Sequence, residues 1–306
     1  MFQTYPFQPE AQDIMMTIQA MCSQERNGYR TEDYFSQANP EPNNCNYPQQ
    51  LVVDPECRTK MAEWCCQVVD HCKFKRETVA ITMSYVDRYM MTNSGKTALR
   101  DRKTFQLVAM TSLYTAVKIH EPEAMDPKVI ASLSRGAYTE DEVTEMEMQI
   151  LKALKWRMNP PTAMSFLHQY LSLLTDHGIS ECEMARFNEL AKLQIDASVI
   201  VHSFVGVNPS NLAFAALSNA LSILKLHCPL MKDALVIISK VANISNDTDE
   251  IIKIHYDLFK VLRHTLQQSE NSVPSFNSNA SKGSAFDGSE NCVDRPIHVS
   301  PRSVCP

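Results

Sequence analysis

The segment FQLVAMTSLYTAV, residues Phe105–Val117, carries small or apolar side chains on almost every side. As a helix it would have hardly any polar face to turn toward water, and a helix of that kind belongs at the centre of a bundle. A second segment with the same character, LAFAALSNALSIL, occupies Leu212–Leu224. We therefore expect two helical lobes, each wrapped around one buried helix, which together form a weak internal duplication.

The segments around the first central helix have the spacing of amphipathic helices. One apolar stripe recurs at three and four positions and comprises Met61, Trp64, Cys65, Val68, Val69 and Cys72. The next helix is predicted over Glu77–Met91, with Asn93-Ser94-Gly95 as its stop. Thr139 and Glu142 have the spacing of a capping box. Five helices are predicted for the first lobe. The first begins near Pro55, the second covers Glu77–Met91, the third Phe105–Val117, the fourth Lys128–Leu133 and the fifth Thr139–Leu154.

The sequence Asn159-Pro160-Pro161-Thr162 interrupts the helical pattern, because two prolines cannot lie inside a helix and the residue before a proline avoids the helical region. We place the boundary between the lobes here. The five helices predicted for the second lobe are Thr162–Leu174, Glu181–His202, Pro209–Leu224, Leu230–Val241 and Asp247–Gln268.

The predicted organisation is an N-terminal helix and loop in residues 1–50, a first lobe in 51–158, a second lobe in 159–268 and a tail in 269–306. The N-terminal helix is expected over Ala11–Ser23, where apolar residues again recur at helical spacing. The tail has too few apolar residues to offset the entropy of ordering, so we expect it to be disordered.

The composition fits an all-α protein and argues against several classes of function. Only 7 glycines occur, which disfavours turn-rich β folds and phosphate-binding loops. With 29 Lys+Arg against 35 Asp+Glu, the formal charge is -6, so we expect no nucleic-acid partner. No secretory signal is evident, and no apolar run approaches the roughly 20 residues that span a bilayer, so no membrane partner is expected either.

Four segments resemble the cyclin family. CRTKMAEWCCQVVDHCKFKRETVAITMSYVDRYMM, Cys57–Met91, resembles the first two helices of the cyclin box, where an Arg, a Trp and an Asp-Arg pair recur at these spacings; the matching residues are Arg58, Trp64, Asp87 and Arg88. FQLVAMTSLYTAVKIHEPE is similar to the third cyclin helix, and YTEDEVTEMEMQILKALKWRMNPPT to the fifth helix and linker, with Met146, Glu147 and Trp156 as the matches. VNPSNLAFAALSNAL resembles the C-terminal cyclin fold.

This resemblance covers about residues 11–266 and implies an all-α chain of two tandem five-helix cyclin folds. The N-terminal cyclin box would be the first lobe and the C-terminal cyclin fold the second. The entry segment AQDIMMTIQAMCSQERNGYRTEDYF is most similar to D-type or plant-like G1 cyclins. The Leu-x-Cys-x-Glu motif by which many D-type cyclins hold retinoblastoma-type proteins is absent, since Ser180-Glu181-Cys182-Glu183 lacks the leucine.

The function implied by the resemblance is that of a regulatory subunit that binds and activates a cyclin-dependent protein kinase, in G1 or at G1/S. The matching residues for kinase contact are Lys118 and Glu147. Arg58 and Asp87 match a structural ion pair between the first two helices. We expect a nuclear or cytoplasmic location, no cofactor, no metal and no enzyme activity.

A substrate-docking patch for Arg-x-Leu motifs is also implied, at positions that match the family's shallow apolar patch. The residues are Cys57, Met61, Trp64, Gln67, Phe105 and Gln106. Met61 and Trp64 also lie on the stripe that periodicity assigns to the core. Packing and docking therefore remain equally open at this point.

Alternatives to kinase activation follow from the same sequence. The ten cysteines include no C-x-x-C pair, five of the histidines are scattered singly, and neither H-E-x-x-H nor G-x-x-x-x-G-K occurs. A helical enzyme with a site assembled from distant residues ranks last. A cyclin-fold interaction scaffold without kinase binding, and a transcription-linked cyclin-box protein, remain as competitors.

Overall fold

The structure is a computed structural model that describes residues 9–37, 53–174, 180–226, 228–245 and 249–271. Over these residues every regular element is a helix, which confirms the all-α prediction. The helices are α1 Pro9–Gly28, α2 Tyr34–Gln37, α3 Pro55–His71, α4 Glu77–Met90, α5 Asn93–Ala98, α6 Arg102–His120, α7 Pro127–Leu133, α8 Glu140–Ala153, α9 Ala163–Ser172, α10 Glu181–Ile200, α11 Pro209–Ile223, α12 Pro229–Val241 and α13 Asp249–Asn271, with a 3₁₀ turn at His202–Phe204. Of the tail predicted in 269–306, residues 269–271 belong to α13, and the remainder lies outside the described residues.

Helix α6 is the centre of the first lobe. Every residue from Val108 to Val117 is buried, and α3, α4, α5, α7 and α8 pack around it. Its start is set by Asp101, whose carboxylate accepts hydrogen bonds from the backbone N–H groups of Lys103 and Thr104. The all-apolar segment is therefore a central helix, as its lack of a polar face predicted.

The prediction that Asn93-Ser94-Gly95 is only a stop was incomplete. Helix α4 does end at Met90, but these three residues open the short helix α5. Thr92 caps it, since its hydroxyl accepts a hydrogen bond from the N–H of Gly95 at 3.1 Å. A Cβ at position 95 would lie 2.0 Å from the carbonyl oxygen of Tyr89, so the close approach of α5 to α4 requires glycine there.

Helix α11 holds the corresponding central place in the second lobe. It packs against α9, α10, α12 and α13, and its face from Leu212 to Leu217 is buried throughout. The linker delivers the chain to α9 through Thr162, whose hydroxyl accepts a hydrogen bond from the N–H of Ser165 at 2.9 Å. The two lobes thus each surround one central helix.

Helix α1 belongs to the core of the second lobe, although it precedes the first lobe in sequence. It packs against α9 and α12 and buries Ile18 and Cys22 there. Glu25, also buried, accepts a hydrogen bond from the N–H of Ser210 at 3.1 Å, in the first turn of α11. A carboxylate in that position satisfies an otherwise free donor and complements the helix dipole.

Replacing Glu25 with glutamine is expected to favour the folded state more at neutral than at acidic pH. Burial raises the pKa of Glu25 above its ordinary value, and the hydrogen bonds from Ser210 oppose this only in part. The folded chain then binds the proton more tightly than the unfolded chain, so the free energy of unfolding falls as the pH rises through this window. Glutamine cannot ionise. Urea unfolding of both proteins should show the relative stability of the variant increasing from about pH 4 to about pH 7; a difference independent of pH would contradict this.

Candidate partner-binding site

Lys118 and Glu147 meet at the surface where the end of α6 packs against α8. The ammonium Nζ of Lys118 donates to both carboxylate oxygens of Glu147, each at 3.2 Å. Lys118 lies in the last turn of α6, and Glu147 lies in the middle of α8 on the side that faces α6. Two helices that are distant in sequence therefore bring these charges together.

The two members of this pair differ in exposure. The side chain of Glu147 is only 10% exposed and that of Lys118 is 49% exposed. The Thr115 hydroxyl lies 3.5 Å from a carboxylate oxygen of Glu147, and the ammonium of Lys118 lies 5.4 Å from the centre of the Tyr114 ring. The buried acid thus anchors a lysine that remains available to a partner.

The charge state of Lys118 is secured by its neighbour. Partial burial lowers its pKa, but the hydrogen bonds and the negative charge of Glu147 outweigh that effect. The pKa of Lys118 consequently lies above its ordinary value, and the ammonium is charged at neutral pH. A charged donor with a fixed position can orient a partner's backbone carbonyls.

Apolar side chains are exposed next to this pair in the chain. Ile119 follows Lys118, Met148 follows Glu147, and both are exposed; Trp156, just beyond α8, is 64% exposed. Trp156 was predicted only as a match to the cyclin family, and Ile119 and Met148 were not predicted. Met148 could have been found, because it falls off the apolar stripe of Val143, Met146 and Ile150 that α8 buries.

Arg58 and Asp87 form a buried pair between α3 and α4. Nε and Nη2 of Arg58 donate to the two carboxylate oxygens of Asp87 at 2.9 and 2.8 Å. The hydroxyl of Tyr34 donates to the same carboxylate at 2.9 Å, and Nη1 of Arg58 donates to the carbonyl of Val199 at 3.1 Å. The pair therefore joins three parts of the chain to the end of α10 in the second lobe. The contributions of Tyr34 and Val199 were not predicted.

The buried network holds its tyrosine in the neutral form. Burial raises the pKa of Tyr34 well above its ordinary value, and the negative charge of Asp87 adds to the effect. For Arg58, burial opposes the charged state, but Asp87 more than compensates and raises its pKa. The guanidinium is thus a permanent cation in the interior, matched by one carboxylate.

Comparison with known proteins identifies the family. The cyclin N-terminal domain matches residues 17–159, and the cyclin C-terminal domain matches residues 161–286. The chain belongs to the cyclin family. Together the two cyclin domains account for most of the chain, and the first of them contains the Lys118–Glu147 and Arg58–Asp87 pairs.

Curated relatives of this cyclin include E-type and A-type members. The G1/S-specific cyclin-E1 of Gallus gallus is 32% identical over 146 residues, which are 47% of this chain and 34% of the relative. Cyclin-A1-4 of Oryza sativa subsp. japonica is 29% identical over 176 residues, which are 58% of this chain and 48% of the relative. The matched part is therefore less than half of either relative. Similarity of the N-terminal entry to D-type cyclins stays a prediction.

A solved cyclin supports the fold. The X-ray structure of a viral cyclin from herpesvirus saimiri superposes with a TM-score of 0.53 at 20% sequence identity, covering 69% of this chain and 87% of that one. The tandem cyclin folds predicted from the sequence are confirmed by the helical architecture and by these matches.

Most of the residues matched to the cyclin docking patch lie in the core. Cys57, Met61, Trp64, Phe105 and Gln106 are all buried, and of the six only Gln67 is exposed. Among the described residues, the indole N–H of Trp64 has no hydrogen-bond partner. The side chains of these five residues therefore pack inside the first lobe. An Arg-x-Leu motif could contact them only after a rearrangement that exposes them to solvent. Such docking stays a prediction.

The described residues hold no group of three or more His, Cys, Asp or Glu side chains placed to bind a metal. Cys65 and Cys66 are free and buried, and burial raises the pKa of the Cys66 thiol to about 11. A thiol with such a pKa is a poor nucleophile at neutral pH. Within the same residues, no helix is both long and apolar enough to cross a membrane.

Proposed function

We propose that this cyclin is a regulatory subunit that binds and activates a cyclin-dependent protein kinase. The observation that carries the proposal is the Lys118–Glu147 pair, in which a buried carboxylate fixes a half-exposed lysine; each of the two is followed in the chain by an exposed apolar residue. Partner surfaces combine apolar contacts with charged groups that set the register. The cyclin domains of the chain are the second line of support.

The proposed mechanism is a shift in the conformational population of the kinase. A kinase is active when a lysine and a glutamate of its own site are paired, and the position of its regulatory helix controls that pairing. A subunit that binds only the active arrangement makes it the dominant one, by as much as its difference in affinity for the two states. The cyclin would supply binding energy and no catalytic group. Its place of action would be the nucleus or the cytoplasm.

Control of G1 or of the G1/S transition is the specific role that we propose. It rests on the relatives, one of which is named as a G1/S-specific cyclin. This part of the proposal concerns timing, which the fold does not determine. Following the abundance of the chain, and of its associated kinase activity, through a synchronised cell cycle would separate G1/S from later phases.

The binding experiment uses the intact chain, tagged and purified from its own cells, with mass spectrometry and a histone-type kinase assay on the eluate. We expect a cyclin-dependent kinase to co-purify and its activity to rise with the amount of chain bound. A helical, well-folded chain that brings down no such kinase would refute the activator function and leave the scaffold alternative.

A further inference from the structure

The C-terminal ends of α1, α4 and α8 meet at a cleft of about 210 Å³. All of the charged residues that line it are basic: Arg30, Arg88, Lys155 and Arg157. The remaining lining is Gly28, Met91, Thr92, Ala153 and Leu154. The cleft thus concentrates four cations in a space that could enclose a small anion.

Arg88 is the least exposed of these cations. The residue is only 7% exposed, and its guanidinium carbon lies 4.7 Å from the centre of the Tyr29 ring, which holds it in place. Its Nη2 donates to the carbonyl of Arg157 at 2.8 Å, and its Nη1 has no hydrogen-bond partner among the described residues. Burial lowers the pKa of Arg88. A buried cation without a negatively charged partner would be stabilised by an anion bound nearby.

Arg157 and Lys155 complete the cluster from the end of α8. Nη1 of Arg157 donates to the carbonyl of Asn27 at 3.3 Å, and a Cβ on Gly28 would lie 2.7 Å from the same nitrogen. Lys155 is exposed. Arg30 is paired with Glu32 at 3.2 Å, but no described carboxylate lies within ion-pair distance of the other three.

Capping of helix carbonyls explains only part of this arrangement. Cations near helix C-termini are stabilised by the helix dipole, and the contact of Arg157 with the carbonyl of Asn27, in the last turn of α1, is of that kind. Arg88 instead donates to the carbonyl of Arg157, which lies beyond the end of α8. These contacts leave the ammonium of Lys155 free at the surface, and they leave the buried Nη1 of Arg88 without a partner among the described residues. Three cations without acidic partners around one cleft therefore indicate a ligand with more than one negative charge.

We propose that this cleft binds a phosphate group, either as a phosphate monoester on a protein side chain or as a free phosphate ion. A phosphate group offers three acceptor oxygens and close to two negative charges at neutral pH. Its oxygens would accept hydrogen bonds from the exposed Lys155 and Arg157, and its charge would offset that of the buried Arg88. A carboxylate offers only one charge and two oxygens. Neither Lys118 nor Glu147 lines the cleft, so its occupancy can be tested without a kinase.

The test is titration of the isotopically labelled chain, followed by NMR, with inorganic phosphate, with a capped Ala-Ala-phosphoserine-Ala-Ala peptide and with the unphosphorylated peptide. We expect saturable binding of the phosphate-bearing probes and none of the unmodified peptide. Tighter binding of the phosphopeptide would assign the ligand to a phosphorylated chain, and tighter binding of inorganic phosphate would assign it to the free ion.

Variants locate the binding at the cleft. Lys155→Gln and Arg157→Gln should each weaken it roughly tenfold, since each removes a charge-assisted hydrogen bond. Lys152→Gln, which removes an exposed charge from α8 outside the cleft, is the matched control. Gly28→Ala should also weaken binding without changing any charge, because the added Cβ displaces the guanidinium of Arg157. Equal binding by all four variants, or no binding of either phosphate-bearing probe by the parent chain, would overturn the proposal.

Discussion

The double variant Lys118→Ala/Glu147→Ala is expected to lose kinase activation while keeping its fold. Removing charged groups that pair with a partner across a desolvated interface costs roughly 2 to 5 kcal/mol of binding, which is about 30-fold or more in affinity. We therefore expect at least that loss in the concentration dependence of kinase activation. The measurement is phosphorylation of a histone-type substrate by the kinase at increasing cyclin concentration.

Changing both residues together is what keeps the fold intact. Glu147 is nearly buried and has Lys118 as its ion-pair partner, so removing the lysine alone would leave a poorly solvated carboxylate. Removing both leaves no unpaired charge, and alanine is favourable in a helix. Because Lys118 is about half exposed, we expect the loss of stability to stay within about 1 kcal/mol.

A second surface pair provides the matched control. Lys192 and Glu189 are paired at 3.3 Å on α10, a helix of the second lobe. The variant Lys192→Ala/Glu189→Ala removes the same two charges from the chain and should activate the kinase normally. Full activation by the Lys118/Glu147 variant, or equal loss in both variants, would show that the contact has been assigned to the wrong residues.

The periodicity of apolar residues predicted the helical architecture, because burial of apolar surface is the main driving force for folding and the periodicity shows which helix faces are buried. The two central helices are buried on nearly every side, as the absence of a polar face in each segment indicated. Boundaries were predicted where local chemistry fixes them, as at Thr139, whose hydroxyl and the Glu142 carboxylate form the expected capping box.

Contacts between segments that are distant in the chain could not be predicted from local sequence patterns. The stripe on α1 predicted a helix with one buried face, but nothing in that stripe says which lobe covers it. The short helix α5 depends on the close approach of Gly95 to Tyr89, which is a tertiary feature. The same holds for Trp64, since a residue on a buried stripe and a residue in a shallow patch have the same spacing.

The candidate site was predictable only through family resemblance. A lysine at the end of α6 and a glutamate on α8 look like solvated charges when each is considered alone. Their pairing at 3.2 Å, and the burial of the glutamate, appear only when α6 and α8 pack together. The basic cleft likewise has no sequence signature, because its residues come from three helix ends that are far apart in the chain.

Arg58→Met is expected to destabilise the chain by about 3 to 5 kcal/mol, because it leaves the buried Asp87 carboxylate without its cation. The change also removes the hydrogen bond from Arg58 to the carbonyl of Val199, so the end of α10 should become less protected. The measurement is urea unfolding followed by tryptophan fluorescence, which reports on the exposure of buried Trp64 because Trp156 is already exposed in the folded chain. Amide hydrogen exchange of α10 is the second reading. Lys60→Met, at a partly exposed position of the same helix, is the control and should change stability by roughly 0.5 kcal/mol or less.

The double variant Arg58→Met/Asp87→Leu then separates the pair from the rest of the network. A buried ion pair replaced by apolar groups of similar size is often nearly neutral, whereas one buried charge left alone is not. We therefore expect the double variant to be more stable than either Arg58→Met or Asp87→Leu, with a coupling energy well above the error of the cycle. Helix α10 of the double variant should still exchange faster than in the parent chain, because this variant, like Arg58→Met, lacks the hydrogen bond to Val199. Additive single effects would mean that the two charges do not stabilise each other, and Arg58 would then act through its contact with the second lobe alone.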